Sequence, residues 1–300
     1  AALPGSIVVG ALKGPTGIGM VRLFESPPQL SGGLAITMTA VPSADVMAAK
    51  VMSGEYDAAV LPVNMAAKLY SAGIPIRLAA IVGNGMVSFL TSDPTVTALA
   101  DLRGKEINVA GQGATPDYLF RRLLQTAGLD PDKDLRLSYA LPYPEAAAAL
   151  AAGSIRYAVL PEPFATLALM KNPSLKSPLD VAALWTKATG QSSYPMSAFV
   201  VSARLAGEAP GAVRALLDAY ADSITWVTAN PAAAGALVEK HDLGLPAAVA
   251  ARAIPRSNYV FVTSELARPA IEALLSVFLQ TAPASIGGAL PDASFYATFK

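Results

Sequence analysis

The 300-residue chain contains no cysteine and a single histidine, His241. Without thiols it can form no disulfide, no thiolate zinc site, no Cys nucleophile and no thiol redox centre. These absences remove much of the enzyme repertoire, and we expect no catalytic residue, no metal and no cofactor. His241 lies at the end of a predicted helix, where a cationic tip is favoured, so we expect it to be a surface cap.

Charge of one sign and long hydrophobic runs are also missing. Lys and Arg together number 22, as do Asp and Glu, and the formal net charge is zero. Because no stripe of basic residues with interleaved aromatics is present, nucleic acid is not an expected partner. Although 53% of the residues are hydrophobic, alanine inflates that share, and no window offers the roughly 18 uninterrupted apolar residues that a membrane span needs.

What is present is an alternation of strand and helix signals. "SIVVGAL" (6–12) and "AITMTAV" (35–41) are typical of strands, and each is followed by Gly or Pro and then by helical spacing of apolar residues, over 44–53 in the second case. "YDAAVLPV" is the next strand, and Asn64 is a candidate N-cap for a helix that ends at Gly73. "IRLAAIVG" and "MVSFLTS" follow as strands. This alternation predicts a parallel sheet covered by helices on both faces.

The same alternation restarts after Asp93-Pro94. "EINVAG", a Gly-rich turn, a helix over 116–127, the strand "DLRLSYALP", a helix over 144–152 and the strand "RYAVLPEP" form a second α/β set. After Tyr194 we predict one more strand, in "SAFVVSARLA", and then helices over 209–229, 231–240, 246–253 and 264–281. The pattern leaves open whether these are two independent domains or one lobe interrupted by the other. Trp185, Trp226, Met20 and Met86 are predicted core residues.

Two stretches carry a family resemblance. The first is "DLRGKEI" (101–107), followed by the Gly-rich turn, a helix ending in "AGLDP" and "EAAAALAAGSIRYAVLPEP" (145–163); the second is "SGEYDAAVLPVNMAAKLYSAG" (53–73). In this order and spacing they resemble periplasmic solute-binding proteins of the NMT1/SsuA-like group, which serve ABC importers. Arg156-Tyr157 stands where that group often has Asp-Ala, so a charge common there is missing.

The resemblance implies an α/β, two-lobed type II periplasmic-binding fold with a ligand cleft between the lobes. Lobe 1 would comprise residues 1–90 and 197–300, with the C-terminal helices, and lobe 2 residues 91–196. The chain would cross near 88–95 and near 192–200. The cleft would lie at the carboxyl ends of the strands, where open α/β sheets bind ligands, and would close by a hinge motion.

The function implied is capture of a small organic solute, sulfonate-, pyrimidine- or heterocycle-like, for a membrane-embedded ABC permease. We expect a monomer that is not an enzyme and that works in the periplasm or another extracytoplasmic space. The start "AALPG" resembles a mature export product, which predicts that a signal sequence has been removed.

The Gly-rich turns are the first candidate binding elements. Each follows a strand and opens a helix, so backbone N–H groups and the positive end of the helix dipole would point at a ligand. The alternative is that these are ordinary turns that need glycine for positive φ. "GQGATP" has neither the acidic partner of a dinucleotide site nor the Lys-Ser/Thr of a P-loop. The candidates are Lys13, Gly14, Pro15, Thr16 and Gly17 in one turn and Gly111, Gly113, Ala114 and Thr115 in the other.

Further candidates stand just past other strands or at the second crossing. They are Ser43, Asn64, Tyr143, Glu162 and Tyr194. Asn64 and Glu162 could equally be helix caps, or Glu162 could pair with a basic side chain, and the two tyrosines could simply pack.

The ligand predicted by these turns is a small organic molecule held by backbone amides, hydroxyls and an aromatic wall. Two facing helix N-termini would suit an anionic or strongly hydrogen-bond-accepting group, but no Arg stands in the turns for bidentate capture of a compact oxyanion. The alternative is a cytoplasmic lyase on the same fold, of the menaquinone-pathway type. Glu162 or Asp117 would then supply the carboxylate.

Overall fold

The computed structural model describes residues 5–298, apart from the side chain of Ser31. The chain forms two compact units. The first combines the residues up to Asn84 with those from Pro195 onward, and the second comprises Gly85–Tyr194. The chain therefore passes between the units twice. The sequence-based division into 1–90 with 197–300 and 91–196 stays a prediction about domains. The first four residues of the expected export start "AALPG" lie outside the described residues.

The first unit is built on a six-stranded sheet. Its strands are β1 (Ser6–Leu12), β2 (Ala35–Val41), β3 (Ala58–Pro62), β4 (Ile76–Asn84), β9 (Pro195–Ser202) and β10 (Tyr259–Thr263). They stand in the order β10-β4-β9-β3-β1-β2. β1 pairs in parallel with β2 and β3, whereas β9 runs antiparallel to β3 and β4, and β10 antiparallel to β4.

The second unit has a four-stranded sheet in the order β5-β8-β6-β7. Its strands are β5 (Val87–Thr91), β6 (Glu106–Val109), β7 (Arg136–Ser138) and β8 (Tyr157–Pro161). β6 pairs in parallel with β7 and β8, and β5 runs antiparallel to β8.

Helices connect these strands. The first unit contains α1 (Pro15–Gly19), α2 (Val21–Glu25), α3 (Ala44–Met52), α4 (Val63–Ser71), α9 (Ala203–Glu208), α10 (Pro210–Ala229), α11 (Pro231–Lys240), α12 (Ala247–Ala253) and α13 (Ser264–Thr281). The second contains α5 (Thr115–Thr126), α6 (Tyr143–Ala152), α7 (Phe164–Lys171) and α8 (Val181–Thr189). Short 3-10 segments lie at Ser31–Gly33, Leu99–Leu102, Ile254–Arg256, Pro283–Ile286 and Ala293–Phe295. Within 5–298, no helix combines the length and apolar character needed to cross a membrane.

Several predictions of local structure are corrected here. Both sheets are mixed rather than parallel, because β5, β9 and β10 run against their neighbours. The region after β9 is not purely helical, since β10 lies within it. Helices α7 and α8 were not predicted. Trp226 is half-buried, with the Arg22 guanidinium 5.0 Å from its ring centre, whereas Trp185, Met20 and Met86 are buried as predicted.

Each sheet carries its own hydrophobic core. In the first unit, Val9, Val60 and Phe199 from the strands pack with Leu216 and Tyr220 of α10, which are four residues apart and so share one helix face. In the second unit the core is rich in alanine from α6, β8 and α7. Small side chains allow these elements to approach closely, which explains the high alanine content of "EAAAALAA".

The parallel strands decide where helices begin. In the second unit, β6, β7 and β8 all run in one direction, and they lead into α5, α6 and α7 respectively. The N-termini of these three helices therefore lie at one edge of the sheet, the carboxyl edge. In the first unit, β1, β2 and β3 lead in the same way into α1, α3 and α4. In open α/β sheets this edge is the usual place for a ligand.

Candidate functional site

The first unit's Gly-rich turn is fixed by contacts inside the unit. Gly14 has φ of 109°, which favours glycine, and its N–H donates to the Leu243 carbonyl at 2.9 Å. A Cβ on Gly17 would lie 2.8 Å from the Leu12 carbonyl oxygen. The Pro15 carbonyl accepts a hydrogen bond from the Tyr259 hydroxyl at 2.6 Å. Position 14 thus needs glycine for its positive φ, as the alternative interpretation proposed, whereas position 17 needs glycine for close packing.

The polar side chains of this turn also have partners. Lys13 Nζ lies 2.6 Å from Asp242 Oδ2. The Thr16 hydroxyl is buried and accepts a hydrogen bond from the Leu12 N–H at 2.9 Å. Ligand contacts of this turn stay a prediction for Lys13, Gly14, Pro15, Thr16 and Gly17. A ligand would have to bind beside the Lys13–Asp242 and Thr16–Leu12 contacts or displace them.

Ser43 and Asn64 lie at the starts of the other two helices at this edge. Ser43 is the N-cap of α3, and its hydroxyl accepts from the Val46 N–H at 3.4 Å. The proposed N-cap role of Asn64 is wrong, because Pro62 occupies that position and Asn64 is the second residue of α4. Its side chain is buried at the end of β3. This placement keeps Asn64 a candidate contact.

The second unit's Gly-rich turn follows β6. Gly111 and Gly113 have φ of 82° and 75°. The Gly113 N–H donates to Asp117 Oδ2 at 2.9 Å, and the Ala114 N–H donates to the Gly111 carbonyl at 3.0 Å. Two of the four residues that sequence reasoning assigned to a ligand in this turn, Gly113 and Ala114, therefore use their N–H groups within the turn.

Asp117 is buried and is the centre of a hydrogen-bond network. From the sequence, this residue was considered only as a lyase carboxylate. Its Oδ1 accepts from the Tyr139 hydroxyl at 2.7 Å and from Arg121 Nε at 3.1 Å. Arg121 also binds Asp132, at 2.9 Å. Burial, followed by the hydrogen bond to Asp117, raises the pKa of Tyr139 well above its ordinary value. The sequence signal that could have indicated this network is an acidic residue in the first turn of α5, Asp117, with Arg121 four residues later.

Two buried hydroxyls stand where helices begin at the same edge. Thr115 is the first residue of α5 and is 1% exposed, and Thr166 lies in the first turn of α7 and is 4% exposed. Within residues 5–298, neither Oγ1 has a hydrogen-bond partner. A buried polar group without a partner costs free energy, so both hydroxyls call for an explanation. Sequence reasoning named Thr115 and missed Thr166, which sits in a helix it did not predict.

Glu162 follows β8 directly and is 2% exposed. Its Oε2 accepts a hydrogen bond from the Thr166 N–H at 3.1 Å, and its own N–H donates to the Met86 carbonyl at 2.9 Å. Glu162 therefore supports the start of α7, which agrees with the capping alternative, while its side chain lies at the carboxyl edge.

Tyr143 and Tyr194 line this edge with aromatic rings. The Tyr143 ring stacks on Phe164, with centroids 5.3 Å apart, and burial raises the pKa of Tyr143 to about 12, so its hydroxyl stays neutral near pH 7. The Tyr194 ring packs on Trp185, and its hydroxyl accepts from the Val87 N–H at 3.4 Å. Because β5 begins opposite the end of β8, this contact also belongs to the carboxyl edge.

The second unit thus brings its predicted site residues to one edge of its sheet, although their contact with a ligand stays a prediction. These residues are Gly111, Gly113, Ala114, Thr115, Tyr143, Glu162 and Tyr194. The structure adds Asp117 and Thr166 to them. Across the described part of the chain, no group of three or more His, Asp or Glu residues is placed to hold a metal ion.

Comparison with known families gives one match. A model described as the NMT1-like family matches residues 22–240, which is more than half of the chain. A search of curated proteins found no match.

Solved structures match over nearly the whole chain. An ABC transporter from Parabacteroides distasonis is 28% identical, with a TM-score of 0.84, over 99% of this chain and 100% of that one. The periplasmic aliphatic sulphonate binding protein SsuA from Escherichia coli is 19% identical, with a TM-score of 0.75, over 97% and 93%. The alkanesulfonate-binding protein SsuA from Xanthomonas axonopodis pv. citri, bound to MOPS, is 21% identical, with a TM-score of 0.72, over 99% and 98%.

These matches confirm the predicted fold class and the predicted resemblance. The two binding proteins are below 25% identity and so support the fold alone. The 28% identical structure is described as a transporter, which agrees with the expectation that the chain is not an enzyme.

Proposed function

Because the chain belongs to the NMT1-like family, we propose that it is the substrate-binding component of an ABC importer. It captures a small organic solute outside the cytoplasm and delivers it to a membrane-embedded permease. The solute is of the sulfonate, pyrimidine or related heterocyclic kind. The observation that carries this proposal is the 28% identity, over 99% of the chain, to a structure described as an ABC transporter.

The chemistry of the described residues supports binding rather than turnover. Asp117, one of the carboxylates that a lyase would use, is engaged by Gly113, Tyr139 and Arg121. A binding protein needs rigid polar groups and an apolar wall, and it needs no group that exchanges protons with a substrate. The helix starts and aromatic rings at the carboxyl edges supply both.

Capture by hinge closure is part of the proposal. The chain passes between its two units twice, at 84–85 and 194–195. Paired connections of this kind allow one unit to rotate against the other about a few backbone dihedrals. Ligand binding is then expected to make the protein more compact.

The proposal is tested by native mass spectrometry of gently purified protein, followed by a thermal-shift screen of sulfonates, pyrimidines, flavins, carboxylates and amino acids. A true ligand at about 100 times its dissociation constant adds about 2.7 kcal/mol to the free energy of unfolding. Small-angle scattering with and without that ligand checks closure. The proposal fails if no compound co-purifies and none of the panel binds, whereas an unchanged radius of gyration with a bound ligand contradicts only the hinge step.

Export is tested separately with the full precursor. Expression with its native N-terminus and fractionation of the cells should place the mature chain outside the cytoplasm. Retention in the cytoplasm would contradict the extracytoplasmic assignment.

A further inference from the structure

The carboxyl edge of the second unit is acidic. The segments that follow β6, β7 and β8, up to the first turns of α5, α6 and α7, contain Asp117, Glu145 and Glu162 and no Lys or Arg. Asp117 is 4% exposed and Glu162 is 2% exposed, so water screens these two only weakly. An anion brought to this edge would meet negative charge close by.

Arg121, the basic side chain that contacts Asp117, does not cancel the negative charge of this edge. Arg121 is shared between Asp117, at 3.1 Å, and Asp132, at 2.9 Å. One guanidinium therefore faces two carboxylates. Its hydrogen bonds to the Tyr139 hydroxyl hold it further in place.

Asp117 also occupies the place that an anion would take at the start of α5. Helix N-termini bind anions because their first N–H groups are unpaired and the helix dipole is positive there. Here the Gly113 N–H points to Asp117 Oδ2, and the Ala114 N–H points to the Gly111 carbonyl. The Asp117 carboxylate thus lies at the positive end of α5, in place of a bound anion.

The unsatisfied groups at this edge are neutral. Thr115 Oγ1 and Thr166 Oγ1 are buried without a partner among the described residues. They lie in the first turns of α5 and α7, which follow the hydrogen-bonded neighbours β6 and β8. A hydroxyl can donate or accept, so it can bind an uncharged amide or amino group as well as a cation. The stacked rings of Tyr143 and Phe164 add an apolar wall that suits a flat ring.

We propose that the second unit's carboxyl edge receives an uncharged or cationic, hydrogen-bond-donating part of the ligand, bound by the Thr115 and Thr166 hydroxyls beside Glu162. Asp117 is the positioning residue that shapes the turn and keeps anions out. This inference rests on the proposed function, and it favours amino-substituted heterocycles over sulfonates as the solute class.

The test uses the full chain and a panel sorted by the charge of the head group. Cationic members are amidines and guanidines, neutral members are amides and amino-substituted pyrimidines and pyridines, and anionic members are sulfonates and carboxylates. Benzamidine, benzamide, benzoate and benzenesulfonate provide one series with a constant ring. Thermal shift identifies binders, and titration calorimetry gives the dissociation constant of the best one.

The variants are chosen to keep shape and remove one property. Glu162→Gln removes the charge and retains an oxygen that can accept the Thr166 N–H. Thr115→Val and Thr166→Val remove a hydroxyl at nearly constant volume. Glu106→Gln, at an exposed position at the start of β6 and so at the opposite end of that strand, is the charge-matched control. Thr126→Val, at the far end of α5, is the hydroxyl control. Circular dichroism and melting temperature verify that each variant folds.

We expect binders among the cationic or neutral donors, with affinity at least tenfold weaker in Glu162→Gln and in one of the two Val variants, and unchanged in the controls. Binding confined to anions, or any best binder whose affinity is the same in all three variants, overturns the inference while the receptor function stands. If no compound binds and none co-purifies, both the inference and the proposed function fail.

Discussion

The Asp117 carboxylate accepts the Gly113 N–H at 2.9 Å and so closes the Gly-rich turn that follows β6. The same carboxylate holds the Tyr139 hydroxyl and the Arg121 guanidinium. A turn that looks open to a ligand in the sequence is therefore braced by a residue two positions into the helix that it precedes. The first prediction concerns this brace.

Asp117→Ala leaves the Gly113 N–H, the Tyr139 hydroxyl and one side of Arg121 without their partner. A fully buried group left without its partner costs about 1–3 kcal/mol. Tyr139 and Arg121 are half-buried and Gly113 is exposed, so water offsets part of this cost, and we expect a loss of about 2 kcal/mol in the free energy of unfolding. Urea unfolding measures it. Asp132→Ala removes the other partner of Arg121. Because the Asp132 side chain is 68% exposed, this variant should cost less than about 1 kcal/mol in the free energy of unfolding. Equal losses in both variants would contradict the bracing role.

Thr115→Val should leave the ligand-free protein as stable as before or stabilise it by up to about 1 kcal/mol, because it removes a buried hydroxyl that has no partner in the described part of the chain. Thr126→Val is the matched comparison on the same helix. The Thr126 hydroxyl donates to the Leu123 carbonyl at 2.7 Å, so its removal should cost about 1 kcal/mol. Chemical denaturation of the two variants decides the matter. A clear loss of stability in Thr115→Val would mean that the hydroxyl has a partner, such as a bound water, in the free protein.

Gly111→Ala should be strongly destabilising. A Cβ at this position would lie 2.3 Å from the Tyr143 hydroxyl oxygen, and φ is 82°. Gly128→Ala has φ of 76° but nothing within 4 Å, so it isolates the backbone strain of about 1–2 kcal/mol. We expect Gly111→Ala to cost at least about 1 kcal/mol more than Gly128→Ala.

The double variant Gly111→Ala with Tyr143→Phe separates the clash from the strain. Removing the hydroxyl should recover part of the excess over Gly128→Ala, because the ring carbon Cζ would remain 3.1 Å from the new Cβ. The recovery is measured as a coupling free energy in a double-mutant cycle. Purely additive effects would show that Tyr143 does not lie against Gly111.

Acid should weaken the second unit partly through Asp93. Hydrogen bonds from the Thr95 hydroxyl and then the Tyr157 hydroxyl hold the pKa of Asp93 well below its ordinary value of 3.8. The ionised form therefore stabilises the fold above about pH 3.8, and this contribution is lost as the pH falls below that value toward the lowered pKa.

Asp93→Asn is accordingly expected to make the decline of stability between about pH 5 and about pH 2 shallower than in the unmodified protein, because a group that binds protons on unfolding has been removed. Urea midpoints at several pH values provide the slope. Asp218→Asn, at an exposed position of α10, controls for the loss of one carboxylate. If Asp93→Asn had the same decline of stability with falling pH as the unmodified protein, Asp93 would not be a source of the acid sensitivity.

Local sequence patterns predicted the elements whose signals are local. Strands 6–12 and 35–41 have the predicted bounds, because alternating or β-branched runs ended by Gly or Pro decide a strand without outside help. Helix α7 was missed because its segment is apolar at most positions and follows Pro161 and Pro163, which leaves no clear period to detect. β10 was missed because it is a five-residue strand between helices, and it forms by pairing with β4, far away in the chain.

For the site, the sequence was sufficient to place glycines and polar residues after strands, and it could not show what each atom contacts. Lys13 was predicted to be the charged residue of its turn, yet its ammonium lies against Asp242, a residue 229 positions later. Thr16 and Gly113 likewise use the groups that were predicted for a ligand. Contacts between residues so far apart in the sequence depend on how the helices pack against the sheet, which no local sequence pattern encodes.

The sequence by itself determined the α/β character of this protein, its division into two sets of alternating elements, and the helix starts at the ends of strands, because glycine, proline and hydrophobic periodicity act over a few residues. Only the tertiary structure decided that β5, β9 and β10 run antiparallel, that Asp117 fills the Gly-rich turn, and that two threonine hydroxyls at neighbouring helix starts have no hydrogen-bond partner among residues 5–298. Those features depend on which residues that are distant in the sequence become neighbours in the fold, because a hydrogen bond forms only where donor and acceptor have the right distance and angle.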